Sequence, residues 1–249
     1  MKLHSQSTVG VQMHPELKQA FPYTAPDSRT RAKYARIFLL VSVDERFSKL
    51  VFDKAIALLA LAAVSPIFCA VVGVHLVISV FFPEQRGSLL INYKAISKGR
   101  IFRKYKFRVI KQAFIDKEAA LRGDWHAHAA EWIPESRTYL GVVLKRFYLD
   151  ELPQLFSILL GHMSLVGPRP LATHHYERDL AQGNVYRKLV RAGLFGPSQA
   201  LKGTRSFGSP KSEYEYLDKY VNSSPLALLR YDLTVIARCL RVVFQAKGL

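Results

Sequence analysis

The longest apolar stretch of the chain covers residues 55–82, and only Ser65, Pro66, Gly73, His75 and Ser79 interrupt its 28 positions. A straight α-helix of that length would extend about 42 Å, which exceeds the roughly 20 residues needed to cross a bilayer once. A soluble helix with almost no polar face would be unusual. The pattern therefore predicts a helix that inserts into a membrane.

Pro66 lies near the middle of this stretch and predicts a kink, because proline lacks an amide hydrogen and clashes with the preceding turn. The Ser65 hydroxyl is placed to cover a carbonyl that the kink leaves free. Basic residues flank both ends, which favours the cytoplasm for each of them. A re-entrant helix hairpin over residues 46–86 satisfies both flanks. One tilted crossing is the alternative, because short basic loops can be overruled.

Shorter patterns predict the remaining elements. Residues 99–110 alternate apolar and basic positions, which is typical of a strand or hairpin arm. Residues 151–160 carry apolar positions at helical spacing, and Pro153 is tolerated only in a first turn, so this helix should begin near Asp150. Residues 193–208 are rich in Gly, Pro and Ser and predict a loop.

The C-terminal region has two distinct faces at helical spacing. Its apolar face comprises Leu229, Leu233, Ile236, Leu240 and Val243. The opposite face comprises Arg230, Thr234, Arg238, Arg241 and Gln245. This predicts a basic amphipathic helix that either caps the core or lies on an anionic membrane surface.

The composition adds a strong positive charge to this picture. The 249 residues include 36 Lys and Arg against 19 Asp and Glu, giving a formal net charge of +17, with a hydrophobic fraction of 49%. Such apolar content excludes a disordered chain, and such basicity implies a polyanionic partner: nucleic acid, anionic lipid or a phosphorylated substrate. The two cysteines, Cys69 and Cys239, are far apart and predict neither a disulfide framework nor a cysteine zinc site.

An acidic pair at the start of the predicted helix carries the candidate chemistry. Asp150 is expected at the N-cap and Glu151 in the first turn, and the plain interpretation is that they cap the helix and offset its dipole. Cations change that interpretation: Lys145 and Arg146 lie upstream, and Arg169 is held on a stiff backbone between two prolines. Together these groups indicate a site for a phosphorylated substrate and a divalent metal.

Residues 145–170 closely resemble the bacterial sugar transferase family. Their sequence is KRFYLDELPQLFSILLGHMSLVGPRP. The members of this family are monotopic polyprenyl-phosphate phosphoglycosyl transferases. The similarity extends over about residues 46–246. It includes Lys49 and Asp53 before the Ser65-Pro66 break, the KFR of residues 106–108, and the segment RKLVRAGLFGPSQALKG of residues 187–203.

The resemblance implies a mostly helical α+β fold. It would comprise a re-entrant membrane helix hairpin, a catalytic domain, interfacial amphipathic helices and a small β-hairpin. Residues 1–45 are then an N-terminal extension, residues 46–86 the anchor, and residues 87–249 a cytosolic catalytic domain. The implied location is the cytoplasmic face of the bacterial inner membrane.

The resemblance also implies a two-step reaction. Asp150 would attack the β-phosphate of a nucleoside-diphosphate sugar, expected to be a UDP-sugar, and release the nucleoside monophosphate. Polyprenyl phosphate in the anionic bilayer would then accept the sugar phosphate. Glu151 would assist as metal ligand or base, and Mg²⁺ at Asp150 and Glu151 would be the cofactor. The implied substrate-binding residues are Lys106, Arg108, Lys145, Arg146, Arg169 and Gln199.

Several positions depart from the family pattern. His162 stands where the family usually has Asp, Tyr148 replaces a usual Ser or Thr, and Lys145-Arg146 reverses the usual order. An inactive membrane-anchored homologue that acts as a binding or scaffold protein is therefore the alternative function. Nucleic acid is not expected as a partner, because the membrane anchor argues against it. Whether the chain forms a homodimer stays open.

Two histidine-containing segments raise the question of another metal site. His126, His128 and Glu131 lie in WHAHAAEW, which an exposed linker helix explains better than a ligand set does. His174 and His175 follow the Pro-Arg-Pro turn. Two positions are open for them, facing the active site or lying at a solvated helix start, and the second is the better expectation.

Overall fold

The computed structural model describes residues 23–245. Its α-helices are α1 (Ser28–Lys33), α2 (Ala35–Phe38), α3 (Phe47–Phe81), α4 (Lys117–Arg122), α5 (Tyr139–Arg146), α6 (Gln154–Leu159), α7 (Thr173–Ala181), α8 (Tyr186–Leu189), α9 (Lys211–Asn222) and α10 (Pro225–Phe244). Its strands are β1 (Leu90–Ser97), β2 (Arg100–Phe107), β3 (Ser164–Val166), β4 (Leu171–Ala172) and β5 (Gly193–Phe195). Short 3₁₀ helices include Trp125–Trp132 and Leu149–Glu151. The fold is thus mostly helical with small sheets, as predicted.

Strands β1 and β2 form an antiparallel β-hairpin. Both residues of its tight turn, Lys98 and Gly99, have positive φ, as a two-residue type I′ turn requires. Alternation along β2 turns Phe102, Lys104 and Lys106 inward, so two lysines of this strand are buried. The free edge of β1 pairs with β4, which follows the Pro-Arg-Pro turn.

The main core lies beneath the second sheet, in which β3 and β5 run parallel. Tyrosines of α9 fill much of it: Tyr214 and Tyr216 are fully buried, and the Tyr216 hydroxyl donates to the Val166 carbonyl at 2.8 Å. The hydrogen bond offsets the free-energy cost of burying the hydroxyl away from water.

Helix α3 is the one helix of residues 23–245 that is long and apolar enough to cross a membrane. It continues through Pro66, which cannot donate to the carbonyl of Ala62 one turn earlier. The Ser65 hydroxyl donates to that carbonyl at 2.8 Å. The predicted role of Ser65 at the proline is therefore confirmed, while the re-entrant path stays a prediction.

Both ends of α3 contact the rest of the protein. Near its start, the Lys49 ammonium lies 3.2 Å from Asp53 and 2.8 Å from Asp232 of α10. Just after its end, the Gln85 carbonyl accepts a hydrogen bond from Arg108 at 2.7 Å, and the ring of Phe82 packs on Tyr139. The long helix is therefore integrated into the fold at both ends.

Helix α10 buries a different face from the one predicted. Leu228, Asp232, Val235 and Cys239 are buried, whereas Leu233 of the predicted apolar face is 52% exposed. The inward face includes a carboxylate because Lys49 is there to compensate its charge. The apolar stripe left outside suits the membrane-surface alternative better than the core-capping one.

The N-terminal segment from residue 23 packs onto the domain. Tyr34 and Ile37 belong to the main buried core, and the Phe38 ring stacks on Tyr214 with 4.6 Å between centroids. The ring of Tyr23 covers the Arg187 guanidinium at 4.2 Å. The described part of the predicted extension is thus a structural element, and residues 1–22 lie outside the described residues.

The buried Lys49 contact gives a stability prediction. Lys49→Met should leave two buried carboxylates uncompensated and lower the free energy of unfolding by about 3 kcal/mol, a fall of roughly 6–12 °C in melting temperature. Thermal unfolding of the full chain in detergent measures this. Lys54→Met, on an exposed position of the same helix, should change stability by no more than about 0.5 kcal/mol. Equal melting temperatures for the two variants would contradict the assigned role.

Candidate active site

The acidic pair lies in the 3₁₀ turn Leu149–Glu151 and not at a helix N-cap. Helix α6 begins at Gln154, after Pro153, and Asp150 makes no capping bond to it. The predicted N-cap position of Asp150 is therefore wrong. Tyr148 before the turn has φ +56°, a conformation rare for residues other than glycine, and such strained positions cluster at functional sites.

Asp150 is buried beside a lysine from the hairpin. Its Oδ2 lies 2.7 Å from Lys106 Nζ, and its exposed fraction is 2%. Lys106 also lies 3.7 Å from the carboxylates of Glu151 and Glu131. Burial alone would lower the pKa of Lys106, but Asp150, Glu131 and Glu151 raise it well above its ordinary value. The ammonium is thus a permanent positive charge against Asp150.

Glu151 is held by the arginine of the Pro-Arg-Pro turn. Arg169 donates from Nη1 to Oε2 at 3.2 Å and from Nη2 to Oε1 at 2.5 Å, which is a bidentate pair. Burial tends to raise the pKa of Glu151, but Arg169, Lys104 and Lys106 hold it well below the usual range. Arg187 in turn donates to the Arg169 carbonyl. Arg169 is therefore fixed at both its backbone and its guanidinium.

Lys104 is the most buried cation of the cluster, with 1% of its surface exposed and its ammonium 3.6 Å from Glu151. Burial lowers the pKa of this lysine to about 7, although Glu151 opposes the shift. Lys104 is therefore a group that gains or loses its proton near neutral pH next to the acidic pair.

Glu131 is a third carboxylate of the cluster that sequence reasoning did not place there. Its side chain lies 3.1 Å from Lys145 and 3.7 Å from Lys106. Residues 125–132 were expected to form an exposed linker helix, but they form a 3₁₀ helix in which His128 and Glu131 are buried. No local pattern marks Glu131 as buried, since its partners come from β2 and α5.

Three of the predicted substrate-binding residues do not join this cluster. Arg108 is buried and donates to the carbonyls of Ser88, Ile110 and Gln85. Its guanidinium therefore holds the backbone of these segments in place. Arg146 is exposed beside Phe147. Gln199 lies in a 3₁₀ turn with its amide close to Gly196. The structure does bring Lys106, Lys145 and Arg169 together around Asp150 and Glu151.

Lys202 joins the edge of the cluster from the loop predicted over residues 193–208. It donates to the Tyr148 hydroxyl at 2.8 Å. Burial, together with the positive charges of Arg169 and Lys145, lowers its pKa to about 8. The sequence feature that could have indicated this contact is Tyr148, which stands where the family usually has Ser or Thr. Its hydroxyl lies at the end of a longer side chain and accepts the hydrogen bond from Lys202.

The arrangement offers an anionic oxygen in a strongly cationic setting. Four cations, Lys104, Lys106, Lys145 and Arg169, face three carboxylates, which leaves capacity for an added anion such as a diphosphate. Among residues 23–245, Lys106 is the single cation within 4 Å of the Asp150 carboxylate. Asp150 therefore suits Mg²⁺, which binds through one or two carboxylates plus phosphate oxygens. Glu151 suits it less, because Arg169 occupies both of its oxygens.

His162, which replaces the family's usual Asp, is exposed, and its backbone carbonyl accepts a hydrogen bond from Ser97 at 2.6 Å. No ion pair joins its side chain to the acidic cluster among the residues that the structure describes. The substitution therefore leaves the contacts of Asp150 and Glu151 intact.

Comparison with known proteins agrees with the resemblance. The profile described as bacterial sugar transferase matches residues 44–246. The exopolysaccharide production protein ExoY of Sinorhizobium fredii is 35% identical over 209 residues, which are 81% of this chain and 87% of that protein. UDP-glucose:undecaprenyl-phosphate glucose-1-phosphate transferase of Xanthomonas campestris is 34% identical over 77% of this chain. UDP-N-acetylgalactosamine-undecaprenyl-phosphate N-acetylgalactosaminephosphotransferase of Aeromonas hydrophila is 28% identical over 84%. The chain spans 35% and 47% of these last two relatives.

The charge environment of Glu131 predicts a pH-dependent contribution to stability. Burial raises its pKa, but Lys106 and Lys145 outweigh burial and lower it from 4.5 to about 2. A depressed carboxylate pKa stabilises the fold fully above pH 4.5, and this contribution is lost as the pH falls toward 2. Glu131→Gln should therefore cost about 3 kcal/mol at pH 7 and progressively less below pH 4.5.

Denaturant unfolding of the wild type and the variant at several pH values measures this difference. Glu135→Gln, at an exposed position four residues away, is the matched control and should show no such trend. A pH-independent difference for Glu131→Gln would show that its charge does not act on the lysines.

Proposed function

Because this chain belongs to the bacterial sugar transferase family, we propose that it transfers a sugar 1-phosphate from a nucleoside-diphosphate sugar to a polyprenyl phosphate in the membrane. The observation that carries this proposal is the buried Asp150–Glu151 pair set among Lys104, Lys106 and Arg169. The relatives named for UDP-sugars and undecaprenyl phosphate support UDP-sugar as donor class and undecaprenyl phosphate as acceptor.

In the first step, a carboxylate oxygen of Asp150 attacks the β-phosphorus of the donor. A bond forms between that oxygen and phosphorus, and the bond to the oxygen that bridges the two phosphates breaks. The electron pair leaves with the nucleoside monophosphate, and the sugar phosphate stays on Asp150. The attack removes no proton from the nucleophile, because a carboxylate oxygen carries none, so no general base is needed.

In the second step, a phosphate oxygen of the polyprenyl phosphate attacks the same phosphorus. The bond to Asp150 breaks, its carboxylate is restored, and the product is a polyprenyl-diphosphate-linked sugar. Anions meet in both steps, so their repulsion must be offset by positioned cations. Lys106 lies against the attacking residue, and Arg169 keeps Glu151 oriented beside it.

Asp150 is the residue that would hold Mg²⁺, because its carboxylate has a single cation partner in the described part of the chain. When bound, the ion supplies positive charge that offsets the charge of the diphosphate. Lys106 and Lys145 contribute the same kind of compensation from the protein. Lys104, whose pKa is about 7, adds a charge that depends on pH.

The proposed anchor is re-entrant and monotopic, with the active site on the cytoplasmic face of the bacterial inner membrane. The catalytic region contacts α3 near Lys49 and again just beyond its end, at Gln85 and Phe82. A helix that carried one end across a bilayer would separate these contacts by the membrane. Apolar side chains exposed on α6, directly after it and on α10 suit the same interface: Phe156, Leu160, Leu233 and Leu240.

The nucleophile assignment predicts complete dependence on Asp150. Asp150→Asn should abolish release of nucleoside monophosphate from a panel of nucleoside-diphosphate sugars with Mg²⁺, and it should abolish the covalent phosphosugar adduct that intact-protein mass spectrometry detects before acceptor is added. Asp44→Asn, at an exposed aspartate, should retain both. Release by the Asp150→Asn variant would refute the nucleophile. A wild type that releases nothing from any donor would favour the scaffold alternative.

The anchor assignment predicts that both ends of α3 are cytoplasmic. In a variant with Cys69 and Cys239 replaced by Ser, single cysteines at the exposed positions Asp44→Cys and Glu84→Cys should resist a membrane-impermeant maleimide in intact cells. Both should react after lysis. Labelling of one site alone in intact cells would support the single tilted crossing.

A further inference from the structure

A second cluster of metal-ligating side chains lies apart from the acidic pair. The ligand atoms of Asp124, His126 and His174 all lie within 4.8 Å of one another, and the three residues are half-buried or exposed. It is the only group of its kind among residues 23–245. Sequence reasoning treated the two histidine segments separately, because 48 positions divide His126 from His174.

The fold brings the two segments together through β1. The Gly123 carbonyl, just before Asp124, accepts a hydrogen bond from the Lys94 amide at 2.8 Å. One residue further along β1, Ala95 pairs with Ala172 of β4, which directly precedes α7 and His174. Both ligand-bearing segments are therefore fixed to the same strand.

The side chains of the cluster are also held in place. Asp124 Oδ1 accepts from the backbone amide of His126 at 3.0 Å and lies 2.9 Å from His126 Nδ1. The rings of His126 and His174 stack with 4.3 Å between centroids, and Trp125 packs against both. These contacts restrict the rotamers, so the donor atoms stay near one another without a bound ion.

We propose that Asp124, His126 and His174 bind a first-row divalent transition metal, with Zn²⁺ as the best match. Two imidazoles and one carboxylate are a usual set of protein ligands for tetrahedral zinc, and a water or a fourth side chain completes it. Mg²⁺ is not the match, because it prefers an all-oxygen octahedral shell.

Such a metal would join two segments that lead into the acidic cluster. Glu131 follows His126 by five residues, and Arg169 precedes His174 by five. The site is distinct from the Mg²⁺ proposed at Asp150, since none of its three ligands contacts the carboxylates of that cluster. The proposal therefore stands independently of the transfer reaction.

Zinc binding to the full-length protein in detergent tests this directly, after any affinity tag has been cleaved and the protein has been stripped with a chelator. Competition with a chromogenic zinc indicator should show one site of this kind per chain that a large excess of Mg²⁺ does not block. His126→Ala and His174→Ala should each weaken binding by roughly tenfold or more. Asp124→Asn should weaken it as well.

His162→Ala removes an exposed histidine outside the cluster and is the matched control, which should bind zinc as the wild type does. Substitution with Co²⁺ should give the intense visible absorption of tetrahedral coordination in the wild type and lose it in His174→Ala. Wild-type affinity in His126→Ala and His174→Ala, or equal loss in the control, would overturn the proposal. A protein that binds no zinc at all would overturn it too.

Discussion

Mutual compensation between three buried carboxylates and four cations is the interaction on which the site depends. Removing these charges from water costs several kcal/mol each, so each is tolerable only beside its partners. The partners come from β2, α5, the 3₁₀ helix Trp125–Trp132, the 3₁₀ turn around Asp150 and the Pro-Arg-Pro turn. The folded arrangement of these separate elements is therefore a condition for burying the acidic pair. A site built in this way is organised before any substrate arrives.

Charge compensation also fixes the polar start of the long apolar helix α3. Lys49 pairs with Asp53 and Asp232, and Asp53 accepts a hydrogen bond from Ser164 of β3 at 2.6 Å. These contacts join the long helix to α10 and to β3. The long apolar helix is thus packed into the same body as the acidic cluster and is not an appended tail.

Local patterns were sufficient where a residue's role is decided by its neighbours in sequence. The proline in α3, the serine beside it, the hairpin strand and the C-terminal helix all follow from local patterns. The segment around Asp150 identified Arg169, and the family resemblance identified Lys106. Local patterns failed where a residue's burial and contacts depend on a partner from another element. Lys104 and Arg108 look equivalent on a basic strand, yet one faces Glu151 and the other holds backbone carbonyls. Asp232 turned inward and Glu131 became buried for the same reason, since their lysines lie far away in sequence.

The N-terminal segment contacts the residues behind the acidic cluster. Tyr23 covers the guanidinium of Arg187, Arg187 donates to the carbonyl of Arg169, and Arg169 grips Glu151. Tyr23 precedes the matched family region by about twenty positions, yet only the Arg187 side chain separates it from Arg169, which binds Glu151. Chimeras or minimal versions cut at the family boundary would leave an arginine of this relay uncovered. The packed structure therefore extends upstream of the matched region, through Ile37 and Tyr34 to Tyr23.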